Sequence, residues 1–143
     1  MYYDLESAKK HISEMINQGA DIIDIGAEST RSGFSDVSAD SQINTLAPII
    51  EFINKNHDIK ISIDTRSSKV INSFSAQNIS FVNDVSSGFH DKTMLKSVSH
   101  LKCNYIMTHM PDEHQKGSNK KYSNVLDELD AVSYTHLTLP TTD

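Results

Sequence analysis

The chain has 143 residues, which is enough for one domain with a sizeable hydrophobic core. Its formal net charge of −6 argues against a surface for nucleic acid or for an anionic membrane, because such surfaces are basic. The single cysteine, Cys103, has no second cysteine to pair with and fits a reducing compartment. No apolar run approaches the ~20 residues of a membrane-spanning helix. We therefore expect a cytoplasmic protein that binds neither nucleic acid nor a membrane.

The first predicted elements are an amphipathic helix and a short buried strand. Apolar residues recur at helical spacing over 5–16, and Gly19 is a natural stop for that helix. The strand covers 21–26, where three isoleucines surround Asp24 in a nearly continuous apolar run. Such a run predicts a strand of a parallel sheet that is buried on both faces. Asp24 would then need a hydrogen-bonding partner, which the sequence does not identify.

Strands and helices alternate along the rest of the chain. A polar loop over 29–38 leads into a second helix, in which Pro48 is expected to produce a kink. The further elements are a strand at 59–63, a helix capped by Ser67 or Ser68, a strand at 80–85, a helix at 91–100, a strand at 104–108 and a helix starting at 125. Strict alternation predicts parallel strands, either in a doubly wound sheet or in part of a (β/α)8 barrel.

Each predicted strand ends at, or is soon followed by, a polar residue that suits a ligand site. These residues are Glu28, Asp64, Asn83 and His109. A barrel gathers the carboxyl ends of all its strands around one mouth, whereas an open sheet uses mainly those at its switch point. The common glycine-rich nucleotide-binding motifs are absent from the sequence. We therefore predict an α/β fold that forms part of a (β/α)8 TIM barrel.

Four motifs at these strand ends resemble dihydropteroate synthase, an enzyme of the pterin-binding barrels. The segment 19–31, which ends in Glu-Ser-Thr-Arg, is similar to the family's second-strand signature and the loop that follows it. Segments 61–65 (Ile-Ser-Ile-Asp-Thr), 82–85 (Val-Asn-Asp-Val) and 106–110 (Ile-Met-Thr-His-Met) resemble its third, fourth and fifth strands. Because the motifs occur in the family order, residues 1–131 are identified as a partial pterin-binding barrel domain.

The resemblance implies an activity and a set of site residues. The family joins 6-hydroxymethyl-7,8-dihydropterin pyrophosphate to p-aminobenzoate, which yields 7,8-dihydropteroate and pyrophosphate in folate biosynthesis. The residues implied for catalysis are Asp64, Asn83 and Arg31. Those implied for substrate binding are Thr30, Arg31, Asp64, Asn83, Val85 and Thr108.

Physical chemistry suits these residues to the implied roles. The carbon–oxygen bond of the pterin substrate is expected to break first, and the Asp64 carboxylate would stabilise the positive charge that develops. The Asn83 amide offers both a donor and an acceptor to the edge of the heterocycle. Val85 would pack against the flat ring. Thr30 and Arg31 would contact pyrophosphate or order the loop over p-aminobenzoate, with arginine as a two-pronged anion clamp.

Simpler structural roles remain open for several of these positions. Asp64 is also placed to cap the following helix, and Asn83 with the next residue resembles an ordinary turn pair. Arg31 in a loop is commonly a solvated charge, and His109 at a strand end is commonly a hydrogen-bonded structural histidine. Glu28 is expected to orient its neighbours rather than to contact substrate.

The resemblance also implies parts that have no counterpart in this chain. The family's first strand, whose asparagine holds Mg²⁺ with the substrate pyrophosphate, would precede Tyr2, and its sixth to eighth strands would follow residue 130. We therefore expect no metal ligand within this chain and no activity from the chain alone. The whole enzyme is expected to use Mg²⁺ and to form a homodimer.

Residues 132–143 do not continue the preceding helical pattern. They resemble the translation of a sequencing-library adapter, and we predict a non-native tail that takes no part in the fold.

Two other functions are weighed against the synthase. One is a methyltransferase that passes a methyl group from a methylated folate to a corrinoid, and the other is a non-catalytic half-barrel that binds pterin. The Ser-Thr-Arg sequence at 29–31 favours the synthase, because it suits a substrate that carries pyrophosphate.

Overall fold

The computed structural model describes residues 4–28, 36–108 and 126, in which four helices alternate with four strands. The helices are α1 (Leu5–Asn17), α2 (Ala39–Asn56), α3 (Ser68–Ser73) and α4 (Met94–Leu101). The strands are β1 (Ile22–Gly26), β2 (Lys60–Asp64), β3 (Phe81–Asp84) and β4 (Asn104–Met107). The predicted tail at 132–143 and, apart from the helical Leu126, the predicted helix from 125 lie outside the described residues.

The four strands form one parallel sheet in the sequential order β1-β2-β3-β4. Right-handed crossovers between successive neighbours place every connecting helix on the same face of a sheet. A doubly wound sheet would instead reverse its strand order at a switch point. The sequential order is therefore that of a barrel wall, and the predicted alternation of parallel strands with helices is confirmed.

The hydrophobic core lies between the sheet and the helices. Isoleucines of β1 and β2 pack against one face of α1, α2 and α3, while Val82 of β3 packs against α3 and α4. The fully buried members are Ile53, Ile61, Ile63, Val70, Val82 and Met94. None of the helices within the described residues is long and apolar enough to span a membrane.

Only one face of β1 is buried, so the prediction of a strand buried on both faces was wrong. Ile23 and Ile25 are buried beneath the helices, whereas Ile22 and Asp24 are exposed. Successive side chains of a strand point to opposite faces, and the helices cover one of these faces. We call the other side of the sheet, which carries Asp24, the open face.

Local hydrogen bonds close both ends of α1. The Asp4 side chain accepts a hydrogen bond from the backbone N–H of Ser7 at the first turn. Gly19 lies just past the last turn with φ of +97°, and the next residue donates to the carbonyl of Met15 at 3.1 Å. This 6→1 bond closes the helix and requires a left-handed residue, which glycine supplies. The second helix, α2, runs without interruption past Pro48.

The start of α3 is held by a residue from a distant loop. Ser67 is the N-cap residue, as predicted, but its side chain makes no capping bond. Instead, Asp91 accepts a hydrogen bond from the backbone N–H of Ser68 at 2.8 Å and another from Thr93 at 2.9 Å. Although partial burial opposes them, these hydrogen bonds hold the pKa of Asp91 well below its ordinary value. Asp91 therefore joins α3 to the segment that leads into α4.

The strand β3 ends at a fully buried carboxylate, that of Asp84. One oxygen accepts from the backbone N–H of Ser86 at 2.8 Å and from its hydroxyl at 2.7 Å. The other accepts from the backbone N–H of Gly88 at 2.9 Å and from the Tyr105 hydroxyl at 2.8 Å. Burial and the neighbouring Asp84 charge raise the pKa of Tyr105. Asp84 thus folds the turn after β3 and links β3 to β4.

Replacing Asp84 is expected to cost far more stability than replacing its tyrosine partner. Asp84→Ala leaves four donor groups without their acceptor, three of them buried, and we expect the free energy of unfolding to fall by about 3 kcal/mol or more. Tyr105→Phe removes one hydrogen bond, and we expect a fall of about 1 kcal/mol. Urea denaturation followed by circular dichroism measures both values. Equal, small losses in the two variants would contradict the structural role of Asp84.

Candidate functional site

Four side chains of the open face lie near the carboxyl ends of β1, β2 and β3. We call Asp24, Ser62, Asp64 and Asn83 the open-face polar group. In the parallel register Asp24 pairs with Ser62, and Asp64 pairs with Asn83. Residues paired across parallel strands point to the same face, and neighbouring strands lie about 4.8 Å apart. The structure therefore brings together Asp64 and Asn83, the two residues predicted to bind one ligand.

Asp24 joins this group through a direct hydrogen bond to Asn83. The side-chain N–H of Asn83 donates to Asp24 Oδ2 at 3.2 Å. Asp24 is exposed, so its predicted burial was wrong, although its expected need for a partner is met by Asn83. Asp24 was not predicted as a site residue because both faces of its strand were expected to be buried. The available signal was that Asp24 and Gly26, two residues apart on one strand, face the same side.

The absence of a side chain at Gly26 leaves room beside Asp64. A Cβ atom at Gly26 would lie 3.1 Å from Asp64 Cβ and 3.2 Å from the Asp64 carbonyl oxygen. Both distances are shorter than ordinary van der Waals contact, so any larger residue would press on Asp64. Glycine at this position therefore leaves the space that the Asp64 side chain occupies.

The Asp64 carboxyl titrates far above its ordinary range. Partial burial, followed by the charges of Asp24, Glu28 and Asp84, raises its pKa from 3.8 to about 6. Arg66 opposes this shift with its positive charge. Because the surroundings disfavour the ionised form, a cationic or hydrogen-bond-donating ligand would gain unusually strong attraction to this carboxylate.

An ion pair stands beside the open-face polar group. Arg66 Nη2 lies 2.5 Å from Glu28 Oε1, and Arg66 Nε donates to Glu28 Oε2 at 3.3 Å. The two side chains are only 16% and 6% exposed, so this is a largely desolvated pair. Glu28 therefore orients a neighbouring side chain, as expected, but the sequence did not identify Arg66 as that neighbour. Glu28 and Arg66 each stand two residues past the paired positions of Gly26 and Asp64, and this equal spacing was the available signal.

Residues just past the end of β2 also hold the start of the chain that follows residues 29–35. Arg66 Nη2 contacts Asp36 Oδ1 at 3.1 Å. The Thr65 hydroxyl donates to Gln42 Oε1 at 2.9 Å, and the Gln42 amide donates to the carbonyl of Val37 at 2.9 Å. Thr65 and Gln42 are buried, so the hydrogen bond between them is shielded from water. Glu28 and Asp36 are thereby linked to Arg66, and Val37 is linked through Gln42 to Thr65.

The remaining predicted site residues divide into two classes. Val85 is half-buried in the turn after β3, and Thr108 is exposed directly after β4, where its carbonyl accepts a hydrogen bond from Ser87 Oγ. Both lie at the same edge of the sheet as Asp64. Thr30 and Arg31, together with His109, lie outside the described residues. The roles implied for all of these residues stay predictions.

The structural alternatives for Asp64 and Asn83 receive little support from the geometry. At the start of α3, the backbone N–H groups of Ser67 and Ser68 bond to Thr65 and Asp91 respectively, so the cap is supplied by residues other than Asp64. Asn83 lies within β3 and not in a turn. The turn that follows is instead organised by Asp84, so a structural role does hold for that residue.

Within the described residues, no metal site accompanies the open-face polar group. In the part of the chain that the structure describes, no three His, Cys, Asp or Glu side chains are grouped so that they could hold a metal ion. A shallow depression of about 330 Å³ lies at the opposite, amino edge of the sheet, lined by residues such as Ala20 and Ser80.

The chain matches the model of the family described as "Pterin binding enzyme" over residues 1–138. It is 35% identical to dihydropteroate synthase of Clostridium beijerinckii over 128 residues, which cover 90% of this chain and 45% of that protein. It is 37% identical to dihydropteroate synthase of Streptococcus pyogenes over 112 residues, which cover 78% of this chain and 42% of that protein. The chain thus spans about half the length of the relatives it matches.

Solved structures give the same picture. Dihydropteroate synthase from Clostridium difficile, crystallised in the presence of pteroic acid, superposes with a TM-score of 0.80 at 30% identity, covering 94% of this chain and 50% of that chain. The Yersinia pestis enzyme in complex with a sulfonamide drug gives a TM-score of 0.84 at 25% identity, covering 94% and 49%. The four-stranded sheet therefore corresponds to about half of those folds.

Replacing Asp64 by its neutral isostere is expected to stabilise the chain near neutral pH. Because its pKa is about 6 when folded and 3.8 ordinarily, the folded chain binds this proton more tightly. Raising the pH from 3.8 through 6 therefore lowers the free energy of unfolding. We expect Asp64→Asn to recover about 1 kcal/mol at pH 7, after allowing for solvent screening, and nothing below pH 3.8.

Urea denaturation at several pH values from 3.5 to about 7 measures the free energy of unfolding of Asp64→Asn and of the parent chain. This interval covers the pH range in which the contribution of Asp64 changes. Asp58→Asn, at an exposed position near the amino edge of the sheet, is the matched control and should show no such trend. A pH-independent difference between Asp64→Asn and the parent chain would contradict the raised pKa.

The ion pair of Glu28 and Arg66 is expected to matter more than an exposed pair. Arg66→Gln leaves the nearly buried Glu28 charge without its partner, and we expect a loss of about 2 kcal/mol in unfolding free energy. Lys69→Gln breaks the pair with Asp40, whose members are both more than half exposed, and should cost less than about 0.5 kcal/mol. Thermal and urea unfolding of the two variants test this order, and equal losses would refute it.

Proposed function

This chain belongs to the family of pterin-binding enzymes, and we propose that it is a segment of a dihydropteroate synthase. The whole enzyme would condense 6-hydroxymethyl-7,8-dihydropterin pyrophosphate with p-aminobenzoate to give 7,8-dihydropteroate and pyrophosphate. The observation that carries this proposal is the pairing of Asp64 with Asn83, in register, on the open face. The names of its relatives at 35–37% identity give independent support.

In this reaction Asp64 would stabilise the positive charge that develops on the pterin. When the bond between the pterin methylene carbon and the pyrophosphate oxygen breaks, its electron pair leaves with pyrophosphate and positive charge remains on the pterin. The amine of p-aminobenzoate then attacks the methylene carbon and loses a proton. A carboxylate in a partly desolvated setting stabilises the intervening positive charge more strongly than one in water. The raised pKa of Asp64 supports such a setting.

Asn83 and its neighbours would orient the heterocycle. The Asn83 amide carries both an acceptor and donors, which match the amide-like edge of a pterin. The half-buried Val85 would contact the ring face, and Thr108 would lie at the rim of the same site. Thr30 and Arg31 would bind pyrophosphate or order the loop over p-aminobenzoate, since arginine forms two parallel bonds to such anions.

The proposal also includes the metal ion, the oligomeric state and the cellular compartment of the whole enzyme. Mg²⁺ would arrive with the substrate pyrophosphate, since the described residues form no group of His, Cys, Asp or Glu side chains that could hold it. We further propose a homodimeric whole enzyme in the cytoplasm. The single cysteine, Cys103, supports a reducing compartment.

The test is pyrophosphate release that depends on p-aminobenzoate, measured with the whole protein that carries this chain. Asp64→Ala and Asn83→Ala are each expected to lower kcat/KM by about 100-fold or more, because each removes a preorganised polar contact to the reacting pterin. Asp58→Ala, at the amino edge, should leave kcat/KM unchanged. The chain of residues 1–143 alone is expected to give no turnover.

Two outcomes would replace the proposal. Binding of pterin without pyrophosphate release would indicate a non-catalytic pterin-binding protein. Methyl transfer from a methylated folate to a corrinoid would indicate the related methyltransferase, which shares an aspartate and an asparagine at these strand ends.

A further inference from the structure

The hydrogen bond between Asp24 and Asn83 crosses a whole strand. Asp24 belongs to β1 and Asn83 to β3, and β2 lies between them. Because Asp24 pairs with Ser62 and Asn83 pairs with Asp64, the bond passes over β2 between these two positions. Ser62 is only 1% exposed although it belongs to the open face, as expected for a residue beneath this bridge.

A side-chain amide has two unlike ends, and its orientation decides what it offers to a ligand. Asn83 directs an N–H group of its Nδ2 atom toward Asp24. A carboxylate accepts hydrogen bonds and cannot donate them, so it selects the nitrogen end of the amide and rejects the oxygen end. The Asn83 oxygen must then point away from Asp24.

We propose that Asp24 is a positioning residue that fixes the Asn83 amide so that its oxygen faces the ligand at the carboxyl edge. This inference rests on the proposed function and deepens it by specifying the ligand edge. The Asn83 oxygen and the Asp64 carboxylate, which are neighbours in register, then form a pair of adjacent acceptors. Such a pair recognises adjacent N–H donors at the edge of a flat heterocycle, while the second N–H of the Asn83 amide remains for an acceptor beside them.

The location of Asp24 makes this role separable from a role in folding. The bond joins two side chains of the open face, whereas the described hydrophobic core lies on the helix side of the sheet, so loss of the Asp24 side chain leaves that core intact. Asp21 is an exposed carboxylate just before the same strand and provides a matched control. Variants at either position should therefore unfold like the parent protein.

The first test needs no ligand. In the whole protein with ¹⁵N-labelled asparagine, the side-chain amide resonances of Asn83 are expected to shift in Asp24→Ala and to shift less in Asp24→Asn, which keeps an acceptor. Asp21→Ala should leave them unchanged. Unshifted Asn83 resonances in Asp24→Ala would overturn the inference whether or not the protein binds pterin.

The second test is a double-mutant cycle with 6-hydroxymethylpterin as the fluorescent probe. Asp24→Ala is expected to raise the Kd about 10-fold, with Asp24→Asn between it and the parent. In an Asn83→Ala background the same change should alter Kd less than about 2-fold, because Asp24 acts through Asn83. Equal losses in both backgrounds would overturn the positioning role. Absence of binding by the parent protein would contradict the proposed function, and the resonance test alone would then decide the role of Asp24.

Discussion

The buried carboxylate of Asp84 is the interaction on which the carboxyl edge depends. Its four hydrogen bonds hold it on the helix side of β3 and shape the turn behind it. Because side chains alternate along a strand, anchoring Asp84 on that side obliges Asn83 to face the opposite way. A slip of one residue would exchange the two and remove Asn83 from its pairing with Asp64. The position of the candidate ligand residue thus follows from a neighbour that never meets the ligand.

The site concentrates negative charge around one carboxyl group. Asp24, Glu28 and Asp84 all disfavour ionisation of Asp64, and Arg66 offsets them only in part. An arrangement of this kind costs stability in the free protein, and such costs are characteristic of sites shaped for binding rather than for folding. A ligand that brings positive charge or N–H donors would relieve the same repulsion, so stability and affinity are linked through Asp64.

Local signals predicted the order of elements, and long-range contacts account for what was missed. The glycine after α1 and the polar ends of the strands were readable because each depends on a few adjacent residues. The exposure of Asp24 could not be predicted in this way, because a short run of isoleucines does not reveal that helices cover only one face of its strand. The bond from Asp91 to α3 and the pairing of Arg66 with Glu28 join residues 23 and 38 positions apart. Local periodicity does not mark such partners, and only the equal spacing of Glu28 and Arg66 past the ends of their strands pointed to that pair.

The fastening of positions 28 and 36–37 to Thr65 and Arg66 has a consequence for how this protein can change. The contacts on either side of residues 29–35 are made by the side chains of Thr65 and Arg66, just past the end of β2. These contacts do not depend on which residues lie between them. The stability of the strands therefore depends little on which residues occupy that interval. Evolution would be free to select Thr30 and Arg31 for the ligand roles proposed for them, without a matching penalty in folding stability.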